Sequence, residues 1–70
     1  MQNTAGRAER AGAATLAIRI AEALVRARRA VDAKPLLDGA LALAADAGDL
    51  AAEANAVALL GDVERALGAG

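Results

Sequence analysis

The side chains here that could do chemistry are of three kinds: cations gathered at Arg26, Arg28, Arg29 and Lys34, single carboxylates such as Asp46 and Asp49, and the hydroxyls of Thr4 and Thr15. The chain has no Cys, His, Ser, Tyr, Trp or Phe. Nucleophilic and general acid–base catalysis therefore have little to work with, and neither a catalytic residue nor an enzyme is expected. Zinc sites built from Cys and His are excluded, and lone carboxylates at these positions read as helix-end residues, so no metal or cofactor is expected. The basic cluster would suit phosphates if its members shared a face. Against that, the net charge is -1 and there is no aromatic ring on which a base could stack, so nucleic acid is not the expected partner.

What remains is a surface to be recognised rather than a reaction to be run. Seventy residues make one small domain, and a chain this short buries only roughly 60% of its unfolded surface. Its large apolar residues are few and alanine is abundant, which points to a chain that gains from self-association or from further repeats. The longest apolar stretch is interrupted by Arg19, Glu22 and Arg26, so no membrane span is expected. The opening MQNTAGRAERAGA has no hydrophobic signal core, and the cytoplasm is the default location. Charge is unevenly placed: residues 1 to 34 carry +4 and residues 35 to 70 carry -5. Such polarity favours head-to-tail contact between copies, or pairing of the first helix with the third inside one copy, unless it is an accident of small numbers.

The elements that must position these groups are helical throughout. Residues 1 to 12 are polar and interrupted by Gly6 and Gly12. They are expected to fray, although Asn3 or Thr4 could cap a helix, and residues 13–70 are expected to form the folded domain. Beyond them Leu16, Ile20, Leu24, Ala27 and Val31 advance by three and four, with a second apolar row at Ala14, Ile18, Ala21 and Val25. A break at Ala30 to Asp32, with Asp32 as cap and Pro35 in the first turn, opens a second helix. Its apolar side is Leu36, Leu37, Ala40, Leu41, Leu43 and Ala44. Gly39 and Gly61 are expected where a neighbouring backbone comes close. Gly48 suits the left-handed residue closing one helix and Asp49 the cap opening the next. The third helix carries rows at Leu50, Ala54, Val57 and Leu60 and at Ala52, Ala56, Leu59, Val63 and Leu67, and Gly68 and Gly70 end it. The expectation is an all-α fold of three antiparallel helices over about 10 to 29, 33 to 47 and 50 to 67, joined by links short enough to make them neighbours.

A shift of 40 residues lays Ala14 on Ala54, Ala17 on Val57, Ile20 on Leu60 and Ala21 on Gly61, so the third helix reads as a copy of the first. Val57 followed by Leu60-Gly61, and Ala33, Leu37 and Ala40 in the second helix, resemble the tetratricopeptide repeat. The stretch ALALAADAGDLAAEANAVALLGDVERALG looks like its roughly 40-residue variant, and the resemblance covers about one and a half repeats over residues 13 to 70. The chain departs from the family where its aromatic positions hold Ala, Leu and Glu64, and where Pro35 falls in the opening of the second helix. The resemblance implies an α-solenoid fragment, a helical-hairpin array whose first-type helices line a groove and bind a protein or peptide partner.

On that pattern the outward groove positions fall on Thr15, Ile18, Glu22, Val25 and Arg26 of the first helix and Asn55, Ala58, Asp62 and Arg65 of the third. Asn55 and Arg65 are then the groups to grip a peptide backbone or carboxylate. The plainer alternative is a solvated stripe of Arg19, Glu22 and Arg26, with Glu22 pairing to Arg26 one turn on. A second alternative is an unrelated three-helix bundle that homodimerises. In that case the rows Ile18 with Val25 and Leu59 with Val63 form a symmetric seam, rather than facing a groove or a next repeat.

Overall fold

The chain turns back twice, and both turns are built the same way. The turn marked by a glycine is at Gly48, whose φ of 71° is left-handed. Its amide reaches the carbonyl of Ala45 at 3.1 Å, and the amide of Asp49 reaches that of Ala44 at 2.9 Å. Together these satisfy carbonyls a helix end would otherwise leave bare. Asp49 then caps the next helix, its carboxylate accepting from the amide of Ala52 at 3.1 Å. Earlier in the chain the pattern recurs around Arg28, with φ 65°. The amide of Arg28 donates to Val25 at 3.0 Å and that of Arg29 to Leu24 at 2.7 Å.

These turns divide the computed structural model, which describes residues 4–68, into three α-helices: α1, Thr4–Arg26; α2, Ala30–Ala47; and α3, Leu50–Gly68. No strand occurs among the described residues. The all-α expectation holds, and the end of the second helix and the start of the third fall where expected. Asn3 and Gly70, expected at the helix ends, lie outside the described residues.

Three local expectations are corrected. The helix α1 starts at Thr4 and runs through Gly6 and Gly12, about six residues before the expected start. The first turn lies at Ala27 to Arg29 rather than Ala30 to Asp32, because the left-handed position is held by Arg28, a residue type that does not announce it. The cap position of α2 is then Arg29, which makes no side-chain capping bond. Asp32 instead accepts from Arg29 Nε at 2.9 Å, and Pro35 falls in the second helical turn instead of the first. Nothing approaches either interior glycine: a Cβ on Gly39 would meet no atom within 4 Å, and one on Gly61 only its own helix's Arg65.

The helices form a layer in which α2 lies between α1 and α3 and packs along both, while α1 and α3 meet over a shorter stretch. Lys34, near the start of α2, pairs with Glu64, near the end of α3, at 2.8 Å, so α3 runs back along α2. Among the described residues the buried core is mainly alanine: Ala14 and Ala21 from α1, Ala33, Ala40 and Ala44 from α2, and Ala52 and Ala56 from α3, joined by Ile18, Leu37 and Val63, with partly buried leucines packed around them. Alanine lets helix axes come close, which explains the choice between the two apolar rows of α1. The row Ala14, Ile18, Ala21 and Val25 faces the core. The row of larger residues does so only at Leu24, which packs against the core as Val25 does, while Leu16 and Ile20 stay exposed. The same holds on α3, where Ala52, Ala56 and Val63 are buried while Leu50 and Val57 are exposed.

Candidate interaction surface

The positions expected to touch a partner fall into three places. Thr15, Ile18 and Glu22 of α1 stand across from Asn55 of α3 and, with Arg19, Asp49, Ala51 and Ala52, line an open cleft of about 340 Å³. Their spacing explains the gathering, because residues 15, 18, 19 and 22 recur at one helical turn and share a side of α1. Within this cleft Ile18 is 7% exposed and belongs to the core, so it forms the floor rather than an outward contact. Thr15 is engaged with its own helix, its hydroxyl donating to the carbonyl of Ala11 at 3.1 Å. Glu22, Arg19 and Asn55 are exposed at the rim. The cleft thus offers a cation, a carboxylate and an amide around a small apolar floor, groups suited to the donors and acceptors of a peptide backbone.

Val25 lies elsewhere. It is half-buried and, with Arg28, Ala30, Val31, Ala66 and Leu67, lines a second cavity of about 430 Å³ at the end of the layer where the first turn meets the end of α3. Arg26, Asp62 and Arg65 are exposed on the outside. Arg65, expected to grip a carboxylate, pairs with Asp62 one turn before it at the solvent-exposed surface. Of the rows expected as a groove wall or a dimer seam, Ile18 and Val63 are buried, while Val25 and Leu59 are partly buried against the core.

The charged groups are arranged mainly for local order. Among the described residues the ion pairs are Arg29 with Asp32, Lys34 with Glu64, and Arg65 with Asp62, all solvent-exposed. Glu22 and Arg26 are not paired. Two members of the basic cluster, Arg29 and Lys34, are thereby matched by carboxylates. The hydrogen bond that Lys34 donates to the Glu64 carboxylate, followed by the negative charges of Glu64 and Asp38, holds the Lys34 ammonium above the ordinary lysine range. No group of three or more carboxylates able to hold a metal occurs among the described residues, and no helix there is long and apolar enough to cross a membrane.

The most open apolar surface was not singled out by sequence reasoning, which gives two apolar rows on α1 and on α3 without choosing the inner one. Leu16 (59% exposed) and Ile20 (45%) lie on α1, Leu50 (77%) and Val57 (54%) on α3, and Val31 and Leu67 at the end of the layer. Leu50 and Val57, with Glu53, Ala54 and Ala58, form a shallow groove of about 490 Å³ along α3. The amphipathic pattern carried no signal for this, since each helix has two apolar rows and either could be the inner one. No family model, curated protein or solved structure matches the chain.

Proposed function

We propose that this chain is a non-catalytic protein-interaction or self-assembly module, a helical-hairpin scaffold of tetratricopeptide type in which α1 and α3 are the equivalent first-type helices. The observation that carries the reading is the exposure of Leu16, Ile20, Leu50 and Val57. A chain this short has few large apolar residues, and leaving four of them in water on two helices is unfavourable unless something covers them. The cleft between α1 and α3, with Thr15, Glu22 and Asn55 at its sides, supports a groove for an extended peptide. The burial of Ala33, Leu37 and Ala40 agrees with the small-large-small pattern on which the resemblance rests. A cytoplasmic setting is part of the same proposal.

The test is photo-crosslinking in the source cells, with a photoreactive residue placed at Ile20, at Val57 or in the cleft at Asn55, and at Asp38 as the control. Defined protein adducts at the first three positions and none at Asp38 are expected. Adducts no stronger than those at Asp38 would overturn the reading.

A further inference from the structure

We propose that the partner is a second copy of this chain, bound head to tail, with the exposed row of α1 from one copy seated in the α3 groove of the next. This rests on the interaction-module reading above and names its partner.

The two faces differ in shape and in charge. On α1, Leu16, Arg19, Ile20, Ala23 and Arg26 recur at helical spacing and are all exposed, giving an apolar ridge with two guanidinium groups along one edge. On α3, Leu50, Ala54, Val57 and Ala58 make the groove and Glu53 stands in its wall. All five residues lie on α3 itself, so the groove is a shallow, open apolar face whose small Ala54 and Ala58 let a helix carrying a Leu–Ile ridge approach closely. Taken whole, α1 carries four arginines against two glutamates, net +2, while α3 carries three acids against one arginine, net -2. At the faces themselves α1 presents Arg19 and Arg26, while α3 presents Glu53, its Glu64 and Asp62 being matched by Lys34 and Arg65; α1 on α3 sets these opposite charges together, whereas α1 on α1 would oppose the two arginines to each other. The favoured contact is therefore between two different surfaces, which closes into a ring or continues as an open chain rather than stopping at a symmetric pair.

The experiment uses the full chain and two surface variants, Leu16→Glu/Ile20→Glu and Leu50→Glu/Val57→Glu, with molar mass followed by sedimentation equilibrium across protein concentration and salt. The wild-type mass should climb with concentration past that of a dimer, and moderate salt should raise the concentration needed by about tenfold. Each variant alone should be monomeric, and their equimolar mixture should form a dimer and stop there, since one retains the α3 groove and the other the α1 ridge. A wild type that stays monomeric overturns the proposal, yet leaves the interaction-module reading standing if crosslinks to another protein are found. Either variant dimerising alone, or a mixture that stays monomeric beside an assembling wild type, overturns the head-to-tail arrangement. Should a glutamate pair lose the helical circular dichroism signal, the Gln replacements at the same positions take its place, with the same outcomes expected.

Discussion

Arg28 and Gly48 hold the same place in two turns of the same geometry, and only one of them is a glycine. A side chain in the left-handed region costs on the order of 1 kcal/mol. Replacing Arg28 by Gly should therefore stabilise the fold by up to about 1 kcal/mol, and Gly48→Ala should destabilise it by a similar amount. Urea denaturation of the two variants beside the wild type checks both signs. The turn at Gly48-Asp49 was legible in the sequence because its chemistry is local. The turn at Arg28 was displaced by about three residues because nothing in the residue type marks it. A second prediction concerns Lys34. Its pKa is raised in the folded chain by Glu64, so the stabilising contribution is complete below the ordinary lysine value of about 10.4 and fades as pH rises through the folded value. The pair is solvent-exposed and its contribution is small. The melting-temperature gap between wild type and Glu64→Gln should thus be modest and steady up to mildly alkaline pH, then close at higher pH.

At the scale of the element, each helix is legible in its existence and less so in its limits. The helix α1 continues back through two glycines to Thr4, past the point where composition suggests fraying. The helix α2 keeps Pro35 in its second turn, where the missing amide leaves the carbonyl of Val31 without its usual donor. The unfilled space at Gly39 has a direct consequence. The backbone there is ordinary helix, and a Cβ added to it would find no atom within 4 Å. Gly39→Ala should therefore stabilise by about 0.5 to 1 kcal/mol, read as a rise in the thermal midpoint. Which side of each helix faces inward was the least legible feature. Both rows of α1 are apolar, and the choice between Ile18 and Ile20 is made by how closely alanines let the helices approach, a property of the pair rather than of either sequence alone.

At the scale of the molecule, Leu37 and Val63 are the largest side chains with no exposed surface among the described residues. Leu37→Ala should cost about 2 to 5 kcal/mol. A chain of this length has only about 4 to 10 kcal/mol in total, so the variant should lose much of its helical signal at physiological temperature, measured by circular dichroism. Val57→Ala, on the exposed groove of α3, should change the stability of the isolated chain by less than about 1 kcal/mol.

An interior assembled from alanine has a thermal consequence as well. Heat-capacity change on unfolding grows with the non-polar area newly wetted, and among the described residues seven of the ten that are buried contribute only a methyl group each. Calorimetry of the lone chain should therefore show a heat-capacity change at the low end for its length, even with the leucines that pack partly buried on that core counted in. Sharper, more cooperative melting would come only once the leucines, isoleucine and valine on its flanks are covered.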